Sequence, residues 1–257
     1  MLNVHAVNAF EDNYIWLVQS EHSADTLIVD PGTAQPVLKK LQSLALMPVA
    51  ILITHHHHDH IGGIEQLRQC YPHLPVFGPR QEQIPDMSHA LSEHTGLSVH
   101  AAFPAMQILD TPGHTAGHIS YLLDGKLFCG DTLFAGGCGR LLGGTAEQLY
   151  ASLLRLRQLP ADTEIYCAHE YTLNNLLFAL SIEPDNQALR DRFDHCRQLR
   201  EQHLSTVPSR LADELATNPF LRCDQPGIAQ QLGNIQDVEP LAGLEVFRRL
   251  RSQKDVF

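Results

Sequence analysis

The run VAILIT, Val49 to Thr54, is apolar or β-branched at every position and leads directly into HHHHDH, His55 to His60. A strand with no polar alternation has both faces covered, as in the centre of a parallel sheet flanked by helices. The neighbouring segments agree with that reading. LNVHAV, YIWLV and TLIVD read as strands, the last closed by a turn at Pro31-Gly32, and Ala34 to Leu46 suits a helix. Ile61 to Tyr71 reads as a second helix and LPVFG as another strand. AMQILD, ISYLLD and KLFCGD follow as strands punctuated by TPGH and DG, then a helix from Thr145 to Leu159 and the strand EIYCA. From Tyr171 to Phe257 the periodicity is helical and no strand is read. The expectation is an α/β domain over residues 1–170 followed by a small all-helical domain over 171–257.

Composition excludes several classes of function. The chain has 257 residues, 44% hydrophobic and 18% charged, enough to bury a substantial core. No run approaches the roughly 18 apolar residues that span a bilayer. The N-terminal MLNVHAVNAFEDNY has neither a basic region nor an apolar stretch of signal-peptide type, so the expected location is the cytoplasm. A net charge of -11 disfavours nucleic acid or an anionic membrane as partner, because phosphate binding needs concentrated positive charge. The six cysteines form no C-x-x-C pair and are read as reduced thiols.

The histidines carry the chemistry. Five of them and Asp59 fall within six positions at the C-terminal end of a strand, where functional loops of α/β proteins collect. A helical reading would put His55 and Asp59 on one face. The β-branched run before the cluster and Gly62-Gly63 after it favour an extended loop instead. Alternation in such a loop separates His55, His57 and Asp59 from His56, His58 and His60. The set with Asp59 is preferred, because a carboxylate can ligate a metal and also hold a metal-bound water, but spacing alone leaves the phase open. Three more strand ends deliver a donor: His114 in ILDTPGHT, Asp131 in LFCGDTLF and His169 in IYCAHEY. His55, His57, Asp59, His60, His114, Asp131 and His169 exceed what one tetrahedral zinc takes and suit two metals sharing a carboxylate, spaced roughly 3.5–4 Å. Imidazole and carboxylate without thiolate suit Zn, Mn or Fe.

THHHHDH fits the T-H-x-H-x-D-H motif of the metallo-β-lactamase superfamily, with TPGHT, GDTLF and HEY following in order. FEDNYIWLV, GGCGR, GTAEQLYASL, CAHEYTLNNLLFAL, NPFLR and the terminal RSQKD extend the resemblance, along nearly the whole chain, to the hydroxyacylglutathione hydrolases, or glyoxalase II. The resemblance implies a four-layer αββα sandwich followed by a helical domain. It implies one metal held by His55, His57 and His114, a second by Asp59, His60 and His169, and Asp131 bridging, with His56 and His58 as non-ligands. The implied cofactors are two divalent ions, zinc foremost, with iron or manganese as alternatives. The implied reaction is hydrolysis of S-D-lactoylglutathione to D-lactate and glutathione by a hydroxide between the two metals, which Asp59 and Asp131 hold in place. The substrate is a small glutathione thioester, and the chain is expected to be a monomer.

Glutathione carries two carboxylates, and positions matching Arg140, Tyr171, Arg251 and Lys254 contact it in the family pattern. Arg251 and Lys254 are three apart and share a helix face. Read without the resemblance, FRRLRSQKD is a solvated helix end. One departure stands out: Leu142 occupies a position that is aromatic in many relatives, which removes a phenol contact to substrate. His118 and His195 are read as structural or surface residues. The alternative is another hydrolase or a persulfide-oxidising relative on the same scaffold, which would lack NPFLR and RSQKD.

Overall fold

A computed structural model describes residues 2–232 and 243–257. The chain forms two compact units, one of residues up to Thr111 with Gly117–Gly130, the other of Pro112–Ala116 with residues from Asp131 onward.

The first unit carries a six-stranded sheet in simple sequential order: β1 (Leu2–Ala9), β2 (Asn13–Ser20), β3 (Asp25–Val29), β4 (Met47–Leu52), β5 (Val76–Pro79) and β6 (His89–Leu91). β1, β2 and β3 pair antiparallel, and β3 through β6 pair parallel, so β4 has parallel neighbours on both sides. This is the position that the unbroken apolar run requires. Helices α1 (Ala34–Ser43), α2 (His58–Ile61) and α3 (Ile64–Cys70) belong to this unit. Val37, Leu41, Ile64 and Leu67 of α1 and α3 bury against Ile15, Leu17, Ile28 and Ile51 of the sheet. A second, antiparallel set follows: β7 (His94–Leu97), β8 (Met106–Asp110), β9 (Ile119–Leu123) and β10 (Lys126–Gly130).

The second unit holds the hairpin β11 (Leu133–Phe134) and β12 (Gly137–Cys138), helix α4 (Ala146–Leu156), and strand β13 (Glu164–Cys167) paired antiparallel with β14 (Ser209–Arg210). Its other helices are α5 (Thr172–Ile182), α6 (Gln187–Glu201), α7 (Leu211–Thr217), α8 (Pro226–Gln231) and α9 (Gly243–Val256). Thr145 and Gln148 form a reciprocal capping box on α4, and Tyr150 packs on Phe247 of α9 with ring centroids 5.5 Å apart.

Four local expectations need correction. α1 stops at Ser43 rather than Leu46, because Ala45 takes a left-handed backbone, φ 52°. The helix expected over Ile61 to Tyr71 is two short helices broken at Gly62-Gly63. His58–Ile61 is helical where an extended loop was expected. A strand does occur after Tyr171, since β14 pairs two residues with β13; two residues are too few to show a period.

Candidate metal and substrate site

The histidine motif changes conformation midway. His57 is still extended, φ -63° and ψ 145°, and the backbone turns helical at His58. His55 and His57 therefore project by alternation, whereas Asp59 and His60 are consecutive on a helical turn. Neither pure geometry could have sorted all four, which is why spacing left the phase open. His56 and His58 fall outside the donor set. The His56 N–H donates to Glu82 Oε2 at 2.6 Å and its ring Nδ1 lies 2.8 Å from the same oxygen, while Glu82 Oε1 accepts from Gly117 N at 3.1 Å.

Hydrogen bonds behind the motif set which ring nitrogens present lone pairs. The Thr54 N–H and hydroxyl both donate to the Asp30 carboxylate, each at 2.8 Å. With its proton committed there, Thr54 Oγ1 accepts from His55 Nδ1 at 3.1 Å, so the lone pair of His55 sits on Nε2. His60 Nδ1 faces Asp30 Oδ2 at 3.1 Å and places its Nε2 3.5 Å from Asp59 Oδ2. Asn13 donates to that same Asp59 oxygen at 2.9 Å. The His118 ring stacks on His55 at 4.9 Å and is itself bonded to Thr111. Gly130 closes this packing: it has φ 46°, and a Cβ there would lie 2.3 Å from Thr54 Oγ1 and 2.8 Å from His118 Nε2.

In the second unit His114, Asp131 and His169 are brought together. His114 Nδ1 donates to the Arg140 carbonyl at 2.8 Å, which again leaves the lone pair on Nε2. That Nε2 lies 3.4 Å from Asp131 Oδ2, and His169 Nε2 lies 3.4 Å from Asp131 Oδ1. The aspartate thus shows a different oxygen to each imidazole. The His169 ring stacks on Tyr171 at 4.7 Å, and the edge of Phe134 meets both rings.

The donor sets fit metal. Bonds of about 2.0–2.2 Å to a tetrahedral ion place its ligand atoms about 3.3–3.6 Å apart. The separations of His114 and His169 from Asp131 and of His60 from Asp59 fall in that range, and His55 Nε2 to His57 Nδ1, at 3.0 Å, is slightly shorter. The donor atoms of His55 and His57, of His55 and His60, and of Asp59 and His60 each lie within 4.8 Å. The side chains are the hard-to-borderline donors that divalent zinc, iron and manganese take.

The expected substrate residues fall into different environments. Arg251 is 4% exposed rather than a solvated helix end. Its NH1 donates to the carbonyls of Cys138 at 2.9 Å and Gly139 at 3.3 Å, its NH2 pairs with Asp255 at 3.0 Å, and its guanidinium lies over Phe220. Lys254, half-buried, donates to Asn174 and lies over Phe178 and Phe257. Burial, with Arg251 and Arg140 nearby, lowers its pKa from 10.5 to about 8. Arg140 is largely exposed, its Nε 3.8 Å from Asp255, and Tyr171 and Leu142 are exposed.

Sequence reasoning missed Asp30, Asn13, Glu82 and the buried Glu214. Asp30 had a signal, an acid ending the apolar strand TLIVD in a left-handed backbone, φ 50°. Glu214 had none: it accepts from Gly136 N at 2.8 Å and Asn218 Nδ2 at 3.1 Å and pairs with Arg192, all far from it along the chain or on neighbouring turns.

A family model for the metallo-beta-lactamase superfamily matches residues 9–169, and one for the hydroxyacylglutathione hydrolase C-terminus matches residues 170–257. Over 257 residues the chain is 49% identical to the hydroxyacylglutathione hydrolase of Nitrosomonas europaea, covering 100% of this chain and 97% of that protein. It is also 49% identical to the protein of that name from Photobacterium profundum, with both fully covered. Among solved structures, ETHE1 from Myxococcus xanthus superposes with a TM-score of 0.66 at 24% identity, over 99% of both chains, which shows a shared fold. TTHA1623 in a di-iron-bound form gives a TM-score of 0.53 at 28% identity, over 65% of this chain and 91% of that one. The α/β fold expected from the sequence, that of the metallo-β-lactamases with a helical C-terminal part, is the fold these matches share.

Proposed function

The chain belongs to the hydroxyacylglutathione hydrolases of the metallo-β-lactamase superfamily, and on that premise we propose that it hydrolyses S-D-lactoylglutathione to D-lactate and glutathione, the second step of methylglyoxal detoxification. The observation that carries the reading is Asp131, whose two oxygens each face a separate imidazole at 3.4 Å, as a carboxylate shared by two ions would.

The chain binds divalent metal through its His/Asp cluster. In the proposed arrangement His55, His57 and His114 would hold one ion, Asp59, His60 and His169 would hold the other, and Asp131 would serve both. Zinc is the ion we favour over iron or manganese. Two such ions would supply Lewis acidity, making a bound water more acidic and the thioester carbonyl more electrophilic. The protein's own groups then have defined tasks. Asp59, held through one oxygen by Asn13, orients the attacking water with the other. Thr54 and the Arg140 carbonyl hold the protons on the outer nitrogens of His55 and His114, so these two ligand tautomers are set before binding, while the Asp30 carboxylate lies 3.1 Å from the outer nitrogen of His60. The leaving group is a thiolate, stable enough that no strong general acid is needed.

Arg140, Tyr171, Arg251 and Lys254 are the proposed contacts to the glutathione portion, with Arg251 acting from behind the β12 backbone. We place the boundary between the catalytic and glutathione-binding parts at residue 170, where the two family models meet. No helix among the described residues is long and apolar enough to cross a membrane. A monomeric, cytoplasmic enzyme is the form proposed.

Comparing kcat/KM for S-D-lactoylglutathione with that for the S-lactoyl thioester of N-acetylcysteamine tests the assignment. A large preference for the glutathione substrate, with two metal ions per chain, is expected. Equal rates on both would overturn the glutathione assignment, and one redox-active iron with O₂ uptake would overturn the hydrolase.

A further inference from the structure

Near the end of α9 a carboxylate stands where helix electrostatics disfavour one. Asp255 is the penultimate residue of the helix, against the negative end of its dipole. It pairs with Arg251 four residues earlier, and carboxylate after cation is the less favourable order for such a pair. What offsets both effects is positive charge: Arg251 NH2 at 3.0 Å and Arg140 Nε at 3.8 Å face the same Asp255 oxygen. Lys254 adds a third cation beside Arg251 and Arg140, its pKa lowered to about 8 by burial first and then by the positive charge of the two arginines.

The two arginines depend on Asp255 to different degrees. Arg251 is anchored independently by two carbonyls and by Phe220, so it keeps its direction without Asp255. Arg140, two-thirds exposed at its side chain, has the Asp255 oxygen as its charge partner at 3.8 Å. A carboxylate arriving from solution meets a cation cluster that already has an anion in it.

Resting on the glutathione reading above, we propose that Asp255 is an internal counter-ion that occupies the Arg140–Arg251 cluster and is displaced by a carboxylate of the substrate, so that it weakens glutathione binding and speeds release of the glutathione product. The substituted group is one that the chain itself supplies, which makes Asp255 a setter of affinity rather than a part of the reaction.

The test is Asp255→Asn and, as a second variant, Asp255→Ala, assayed with S-D-lactoylglutathione and with the S-lactoyl thioester of N-acetylcysteamine, which has no carboxylate. Both variants should lower KM for the glutathione substrate, and Ki for glutathione as product inhibitor, by roughly two- to fivefold, the range of a partly exposed ion pair. KM for the carboxylate-free thioester should not move. A raised or unchanged KM and Ki for both variants would overturn the proposal, and a raised value would show that Asp255 positions the arginines instead. Arg140→Ala and Lys254→Ala separate this from the parent reading. If they raise KM for the glutathione thioester while the Asp255 variants do not lower it, only the counter-ion role fails. If they leave it unchanged, the glutathione site itself is wrong.

Discussion

Asn13 donates its side-chain amide to Asp59 Oδ2 at 2.9 Å, tying the first residue of β2 to a helical turn 46 positions away. The bond restrains the carboxylate of the one motif aspartate through the oxygen that also faces His60 Nε2 at 3.5 Å. Supporting bonds of this kind are worth roughly 10–100-fold in metal affinity or activity. On the two-ion arrangement proposed above, Asn13→Ala is therefore expected to release one ion at lower chelator concentration and to reduce kcat within that range. Chelator competition on the loaded protein measures it, and unchanged retention of both ions would remove Asn13 from the supporting set.

The four-histidine run offers an internal control. His57→Ala should reduce bound metal by about one ion per chain, whereas His56→Ala should retain both. The His56 backbone N–H carries the 2.6 Å bond to Glu82, and truncating the side chain leaves that anchor in place. The ring contacts to Glu82 and to the edge of His57 are lost, the hydrogen bond to Glu82 accounting for a stability change on the order of 0.5–1.5 kcal/mol. Metal analysis of the two variants side by side decides the matter. Loss of an ion from His56→Ala would mean that the donor phase is reversed.

That phase shows what the sequence could and could not carry. The unbroken apolar run of β4 required parallel neighbours on both sides, and it has them. His114, Asp131 and His169 were legible because each interrupts an apolar strand end with a donor. The donors within HHHHDH were not separable by spacing, because the backbone is extended at His57 and helical from His58, and neither period runs through the motif. β14 and the hairpin β11–β12 were invisible because two residues show no alternation. The residues that support the motif were hidden for another reason. Asn13 and Glu82 act through partners 46 and 26 positions away, and a single polar residue carries no local sign of such a partner; Asp30, whose partner is 24 positions away, showed only as an acid ending an apolar strand.

Glu214 is the most consequential of these hidden residues for stability. It is fully buried and accepts from Gly136 N, Asn218 and Arg192, whose guanidinium is itself largely buried. Asn218 also donates to the carbonyls of Phe134 and Gly137, so the group ties α7 to the hairpin that follows Asp131. Glu214→Ala leaves an unpaired buried cation and an unsatisfied amide, and is expected to destabilise by roughly 3–5 kcal/mol. Urea unfolding of the variant measures it. A loss below about 1 kcal/mol would mean that water replaces the carboxylate without penalty.

Lys254 sets an expected pH limit on substrate recognition. Burial first, then Arg251 and Arg140, lower its pKa from 10.5 to about 8, so the side chain is cationic below that pH and neutral above it. If it holds a glutathione carboxylate, kcat/KM for S-D-lactoylglutathione should fall as pH rises through about 8, and the fall should lie in KM. Bound carboxylate favours the charged form, so the limb in kcat should lie at higher pH than the limb in kcat/KM. Stability follows the opposite sign. Between about 8 and 10.5 the unfolded chain binds more protons at this position than the folded one, so the contribution of Lys254 to stability rises with pH over the same window. Lys254→Arg supplies the decisive comparison, because a guanidinium stays charged throughout. The limb near pH 8 should disappear in that variant and be absent for the carboxylate-free thioester in the parent enzyme. If it persists in Lys254→Arg, the titrating group lies elsewhere and Lys254 does not hold the substrate by its charge.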